Sequence, residues 1–502
     1  MAVSPEHDLD QVYDSVGGFG IYQILLIFFR QWLSISSSAN MFVFFSLNRI
    51  RPTVVCHDDG FNSTDECTIR RNCSNYTVES VFYTYVEHFQ LYCYQDWIEP
   101  VIPSLTKAAG FMYLISTYVS DRVGRKPLLT VAFAASVVIG IAASFSPSWI
   151  FLTCLLIIEN LCKTFHIPAL SSLFMEKVTK DYRSVMASAG QWSIVYMIDA
   201  LIAYLTADWR YFLLVANLLT LPLAVLQFFI LTESPRWLIQ KGKFDRASAA
   251  IRKIAAINRT QPEEPFTPAS LAKYCTAGAD EKKHYTLLDL CRNRKIAISV
   301  LLQVLHVPLH SLGIHVILWN VSKLSGSPFL HLVLHGALRI WVPFFIVWLD
   351  WKAPRFGRRR TMLGVSIVII SCFVSLTVLI ALQLDGPWRI VMTVLSQTGA
   401  LLLVSIYTIT VDLYNTELFP TVMRTVASCP SEIAGLLSGI VVPYFLYIGE
   451  NYWPAAPYLI VAGLGSVSFL MDCFLLPETR GVPLIESVAD VDRSLESENP
   501  DE

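Results

Sequence analysis

Charge is scarce in this chain. Of its 502 residues only 16% are Asp, Glu, Lys or Arg, against about 25% in soluble globular proteins. That shortage excludes a charged disordered chain, a coiled coil and a water-soluble enzyme of several domains. Neither sign is in excess: 38 Lys and Arg stand against 40 Asp and Glu, a net of -2, so bulk charge marks no nucleic-acid partner. A nucleotide-binding G-x-x-x-x-G-K-[ST] loop is absent, so ATP hydrolysis is not the expected energy source. No catalytic constellation or cofactor motif appears either. Catalytic residues, cofactors and metals are therefore expected to be none, and the chain is not read as an enzyme. What is abundant is apolar: 54% hydrophobic residues, 12% aromatic, and a mean hydropathy of +0.49. The expected class is an all-α membrane protein whose solvent is the lipid bilayer.

A spanning helix needs about 20 mostly apolar residues. Twelve such runs are read at roughly 21–47, 98–119, 128–146, 149–175, 185–206, 209–231, 296–319, 328–349, 361–383, 388–412, 426–448 and 454–476. The first is too long for a cleavable signal and follows acids (Glu6, Asp8, Asp10, Asp14) instead of a basic stretch. Polar segments 48–97 and 232–295 divide the chain. The expected organisation is an N-terminus over 1–20, a six-helix bundle over 21–231 with an outer loop at 48–97, a linker over 232–295, a second six-helix bundle over 296–476 and a tail over 477–502. Such a 6+6 plan fits two halves related by an axis along the membrane normal. Lys and Arg gather after even-numbered runs: Arg122, Arg125 and Lys126, then Arg236 to Lys253, then Lys352 to Arg360. The positive-inside rule puts that side, and both termini, in the cytoplasm of a multi-pass plasma-membrane protein.

The loop at 48–97 then faces outside. It holds Cys56, Cys67, Cys73 and Cys93 and three N-x-S/T sequons at Asn62, Asn72 and Asn75. In an oxidising compartment four cysteines imply two disulfides, with three pairings open, and the sequons imply a glycoprotein. Asn258 also heads a sequon but falls in the cytoplasmic linker and is expected to stay unmodified.

A short basic turn recurs in both halves: Asp121-Arg122-Val123-Gly124-Arg125-Lys126-Pro127 and Pro354-Arg355-Phe356-Gly357-Arg358-Arg359-Arg360. Glycine supplies the permissive backbone of a tight helix connection, and the arginines suit helix-end carbonyls and acids on neighbouring helices. Further motifs are Val16-Gly17-Gly18-Phe19-Gly20-Ile21-Tyr22-Gln23, Glu176 with Arg183 and Gln191, Glu233-Ser234-Pro235-Arg236-Trp237-Leu238, Glu417-Leu418-Phe419-Pro420-Thr421-Val422-Met423-Arg424, and Leu476-Pro477-Glu478-Thr479-Arg480-Gly481. Together, over about residues 10–485, they resemble the organic cation, organic anion and carnitine transporter family of the major facilitator superfamily. The resemblance implies the major facilitator fold and transport of a small organic ion by alternating access. It also implies that Asp121, Arg125, Glu176, Arg183, Glu233, Arg236, Glu417 and Arg424 form state-dependent ion pairs. Two positions depart from the pattern: Thr117 replaces a glycine, and Pro354 replaces an acid, with Asp350 as the candidate substitute.

Within the runs lie Arg30, Glu159, Lys163, Asp199, Arg339, Asp412, Glu432 and Asp472. Charges there are costly and mark function or pairing. Glu159 and Lys163, four apart, share a helix face. By resemblance Gln191 faces the cavity. Where cation carriers of the family have an aspartate, and anion and carnitine carriers an arginine, this chain has Leu436. Where the cation branch has an acid in the tenth run, it has Ile409. The candidate substrate cavity is therefore Gln191, Lys163, Arg339, His310, Asp412, Glu432 and Leu436. Asp412 and Glu432 are candidates for displaced negative charge and Arg339 for displaced positive charge, which leans the reading to zwitterionic or cationic amines. His306, His310, His315, His331 and His335 cluster in runs seven and eight, as polar lining or inter-helix hydrogen bonds, with proton sensitivity or metal binding as rivals. Transport is facilitative, exchanged or coupled to a co-transported ion. The alternatives are a non-transporting receptor on the same scaffold and a proton-coupled or metal transporter using the histidines.

Overall fold

The protein is described from a computed structural model over residues 9–50, 52–57, 66–179, 182, 186, 192–261, 266–272, 290, 292–320, 324, 326–352, 357–384, 386–407, 414, 419 and 424–478. In chain order these form α1 (Leu9–Ser15), α2 (Ile21–Phe45), β1 (Thr53–Cys56), α3 (Glu66–Asn72), β2 (Tyr76–Glu79), α4 (Tyr85–His88), α5 (Ile98–Ala108), α6 (Tyr113–Val123), α7 (Arg125–Ala143), α8 (Trp149–Met175), α9 (Ser193–Thr206), α10 (Trp209–Ile230), α11 (Pro235–Gln240), α12 (Phe244–Asn258), α13 (Pro268–Ala272), α14 (Arg294–Trp319), α15 (Pro328–Lys352), α16 (Arg358–Ala381), α17 (Trp388–Tyr407), α18 (Arg424–Asn451) and α19 (Ala456–Leu475). Among the described residues eight helices are long and apolar enough to cross a membrane, and two shorter apolar helices cover Ser193–Thr206 and Pro328–Val342. Helix α2 and the α5–α6 stack occupy the remaining two runs.

Polar residues start the helices where hydrophobicity alone leaves the ends undefined. Ser148 accepts from the Phe151 amide at the head of α8, and Asp208 accepts from the Arg210 amide at the head of α10. Both satisfy donors that a helix cannot pair internally. Ser234 caps α11, which has Pro235 in its first turn. The second run is not one helix over 98–119. It breaks at a 3₁₀ turn over Ala109–Met112 and resumes as α6 to Val123. Gly110 sits in that turn, where helix propensity is lowest.

The segment expected outside is built as a small ordered domain. Strands β1 and β2 pair antiparallel with Thr53 opposite Glu79 and Cys56 opposite Tyr76. Cys56 is bonded to Cys73 and Cys67 to Cys93, which selects one of the three open pairings. Arg70 bonds both oxygens of Glu87 at 2.9 Å and Glu66 at 3.0 Å, and stacks 4.2 Å over the Tyr92 ring. The Tyr83 amide donates to Ala207 and the Trp209 amide to Tyr83, pinning the domain onto the α9–α10 turn.

The two six-helix halves meet on the side of this loop. Ser104 donates to the Ile440 carbonyl, Ser46 to Leu318, and Tyr447 to Asp96. Buried apolar residues divide accordingly. One cluster contains the second half together with the loop-side ends of the first, among them Phe42, Ile102, Leu156, Tyr196 and Trp209. A separate cluster joins the opposite ends of the first half, among them Leu26, Phe133 and Phe174, to linker helices α11–α13. Among the described residues the halves therefore share a core at the loop side and not at the side of the basic turns.

Candidate functional site

At the basic turn of the first half, Gly124 adopts φ 115°, a left-handed conformation that glycine tolerates. The Glu233 carboxylate lies against it and accepts from the Arg125 and Lys126 amides, each at 3.2 Å, capping α7. Arg125 pairs with Glu176 at 3.1 Å, and Arg236 donates to the Glu176 carbonyl at 3.2 Å. Trp237 receives Arg125 over its ring at 5.5 Å, and Arg122 packs over Tyr118 at 4.4 Å. Glu176, Glu233, Arg125 and Arg236 thus converge on one turn. Arg183 lies outside the described residues, as does the Asp121 side chain.

The second half repeats the arrangement with a different acid. Glu478, three residues past α19, sits against Gly357 and accepts from the Arg359 amide at 3.3 Å. Arg359 in turn donates to the Cys473 carbonyl at 2.7 Å. A carboxylate from the end of the last helix thus meets the start of the third helix in each half. Pro354, Arg355 and Glu417 lie outside the described residues, as do the side chains of Asp350, Arg358 and Arg424.

Inside the first half, Glu159 and Lys163 pair at 2.7 Å, as their spacing allows. Asn40 donates to the second Glu159 oxygen at 3.0 Å, and Lys163 donates to the Ser36 carbonyl at 3.2 Å. Asp199, fully buried, accepts from Ser38, while its other oxygen has no partner among the described residues. Lys107, which the sequence reading overlooked, faces the same region and lies within electrostatic reach of Lys163. Its signal was a lone lysine in the middle of an apolar run.

His306 and His310, four residues apart, meet different partners. His306 bonds Asp472 at 3.0 Å and the Leu302 carbonyl at 2.7 Å. His310, one turn later, packs its ring 4.5 Å from Tyr407. Among the described residues no group of three or more His, Cys, Asp or Glu is placed to hold a metal.

Arg339 occupies the centre. It lies 11 residues into α15, about 16 Å along a helix rising 1.5 Å per residue, half the thickness of a bilayer core of about 30 Å. Its guanidinium stacks 4.8 Å over Tyr196 of α9, across the junction of the halves, and His335 meets the same ring at 5.3 Å. Among the described residues, Arg339 Nε and Nη1 and His310 Nε2 are buried with no hydrogen-bond partner. The guanidinium nitrogens can only donate, so this centre suits an anionic group. Glu432 neighbours Tyr113, which also neighbours Tyr407, so a carboxyl stands across an aromatic wall from that centre. The sequence reading missed Tyr113, Tyr196 and Tyr407 because aromatic residues are common in every run. Leu436 packs into the space beside Gly110. Gln191 and Asp412 lie outside the described residues.

Comparison with known proteins extends this description. The family model described as "Sugar (and other) transporter" matches residues 101–490. An uncharacterized Caenorhabditis elegans protein is 26% identical over 465 residues, covering 86% of this chain and 88% of its own. Human "Organic cation/carnitine transporter 2" is 29% identical over 413 residues, covering 81% and 71%. The Drosophila melanogaster "Organic cation transporter protein" is 27% identical over 437 residues, covering 84% and 76%. In fold the chain is similar to the xylose transporter XylE from E. coli in a partially occluded inward open conformation, with a TM-score of 0.61, 17% identity and coverage of 95% and 99%. Two six-helix halves, basic turns repeated between them and a family match over most of the length lead to one assignment: the chain belongs to the sugar (and other) transporter family and is a membrane transporter of the major facilitator type.

Proposed function

We propose that this transporter carries small organic zwitterions, amines that also bear a carboxylate, across the plasma membrane by alternating access. The observation that carries the reading is Arg339: a buried guanidinium near the midplane, with two nitrogens unpartnered among the described residues and His310 and His335 beside it. A planar guanidinium suits a carboxylate through a bidentate fork. Glu432, near Tyr113 and Tyr407, suits the ammonium end, with the rings adding cation–π attraction. Lys163 and the two residues outside the described set, Gln191 and Asp412, complete the proposed cavity. The names of the human and Drosophila relatives agree with a cationic or zwitterionic cargo.

On this reading both termini are cytoplasmic and residues 48–97 lie outside, with Asn62, Asn72 and Asn75 as glycan acceptors. The shared core at the loop side supports an arrangement in which cargo reaches Arg339 from the cytoplasm. The ion pairs of Arg125, Glu176, Glu233 and Arg236, joined by Asp121, Arg183, Glu417 and Arg424, then re-form between conformations and act as the cytoplasmic gate.

The test is uptake into cells with confirmed surface expression, using labelled carnitine, a quaternary ammonium cation and a dicarboxylate, each competed by unlabelled compound. Saturable carnitine uptake is expected, falling at least tenfold in Arg339→Gln with quaternary ammonium uptake retained, whereas Glu432→Gln is expected to lower the uptake of both. Carnitine binding without flux in the surface-expressed protein would overturn transport in favour of a receptor.

A further inference from the structure

A shallow cleft of about 360 Å³ lies where α7 begins, α10 ends and linker helices α11 and α12 cross beneath them. Its walls carry Lys126, Lys243, Arg246 and Lys253 against a single carboxylate, Glu233. That carboxylate is already engaged by the amides of Arg125, Lys126 and Ser234. Two of the cations have a structural reason to be there. Lys126 donates to the Phe228 carbonyl at 3.0 Å and Lys253 to the Phe229 carbonyl, at the negative end of α10. An ammonium carries three donors, so each has some to spare. The other two cations have no such reason. Lys243 rests 4.8 Å over the Trp237 ring, and Arg246 is exposed, with no hydrogen bond or ion pair among the described residues. The cleft opens beside apolar side chains that point away from the protein: Phe229 is 70% exposed and Val123 57%. Cations and exposed apolar side chains meet where a headgroup joins its acyl chains.

We propose that this cleft binds the headgroup of an acidic glycerophospholipid of the adjoining leaflet. The phosphodiester and headgroup carboxylate meet Lys243 and Arg246, with Lys126 and Lys253 at the inner end, and the acyl chains run along Phe229 and Val123. The proposal rests on the chain spanning a bilayer whose cytoplasmic leaflet holds acidic lipid, and not on which solute it carries. A bound lipid ties linker helix α12 to the first bundle.

The test uses the purified full-length protein in nanodiscs of phosphatidylcholine with and without phosphatidylserine, read by melting temperature and by native mass spectrometry. Phosphatidylserine is expected to bind saturably and raise the melting temperature. The Lys243→Gln/Arg246→Gln variant is expected to bind it roughly fivefold more weakly for each cation removed. Melting in phosphatidylcholine alone stays unchanged, because both side chains are exposed. Should that variant fold poorly, Arg246→Glu alone carries the test, with weakened phosphatidylserine binding again expected. Equal stabilisation by phosphatidylcholine, or undiminished phosphatidylserine binding in the variants, overturns the proposal. Competition by millimolar inorganic phosphate as strong as by the lipid overturns the lipid as the source. Phosphatidylserine binding in a protein that takes up no carnitine sinks only the zwitterion reading, and the converse sinks only this one.

Discussion

Leu436 of α18 occupies the space beside Gly110, where a side chain on that glycine would have to stand. The contact lies between the halves, on the 3₁₀ turn that separates α5 from α6. A small residue here lets the two helices approach closely, as small residues do between membrane helices. Gly110→Val is expected to push this junction apart and lower the maximal uptake rate severalfold at equal surface expression. Leu436→Ala should restore most of it in the double variant. The coupling energy should be about 1–2 kcal/mol, within the range for residues in contact, and additive effects would show that the junction does not limit transport.

His306 and Asp472 hold a proton between them. A carbonyl only accepts, so His306 Nδ1 donates to Leu302, and the 3.0 Å contact of Nε2 with Asp472 requires a second proton on one partner. The pair is neutral as a unit and fully buried. His306→Ala leaves the buried Asp472 carboxyl without its partner and should cost about 3 kcal/mol. Asp472→Ala leaves a neutral imidazole and should cost about 1 kcal/mol. Thermal melting in detergent checks the order, and the double variant should resemble Asp472→Ala. A larger loss for Asp472→Ala would contradict this protonation.

Glu233 acts as a cap supplied from 108 residues away, accepting from the Arg125 amide. Glu233→Ala should lower stability by about 1 kcal/mol, as loss of a helix cap does, whereas Glu233→Gln keeps the acceptor and loses less. Arg125→Gln removes the pair with Glu176 but keeps the capped amide. It should change the distribution of open states more than the melting temperature, measurable by cysteine accessibility on the two membrane faces.

In the loop domain, burial and the nearby Arg210 charge hold His88 below its usual value of 6.5. Its ring packs on Tyr83, Phe89 and Trp209. The unfolded loop takes up a proton at 6.5 while the folded one resists it. Stability is therefore present above that value and is lost as pH falls toward the lower folded one. Hydrogen exchange over 83–91 should quicken on acidification below about 6.5, and His88→Phe should flatten the response. An unchanged pH profile in His88→Phe would exclude this histidine as its source.

Much of the scaffold was legible beforehand because a bilayer constrains sequence so strongly. Every backbone group at membrane depth must pair within its own helix, so spans appear as apolar runs, and the basic turns appear as repeated motifs at 121–127 and 354–360. The charges were less legible. Glu159 and Lys163 are four apart on one helix, and their pair follows from periodicity. The partner of His306 is 166 residues away, and no local pattern points to Asp472. Asn258 looked like an idle sequon, yet its amide bonds the Val16 carbonyl and the Tyr22 amide, fastening α12 to the glycine-rich start of the chain.

Hydrophobic length, basic turns and cysteine count determined by themselves that this is a helical membrane protein of two similar halves with a disulfide-bearing loop. Tertiary structure alone decided that Cys56 bonds Cys73, that Glu478 caps the second basic turn as Glu233 caps the first, that Leu436 packs at a helix junction, and that Arg339 meets Tyr196 with two nitrogens unpaired among the described residues. The reason is physical. Burying an apolar side chain depends on which solvent it leaves, which a single residue type already states. A hydrogen bond or ion pair depends on where a second group stands within about 3 Å, which only the packed helices determine.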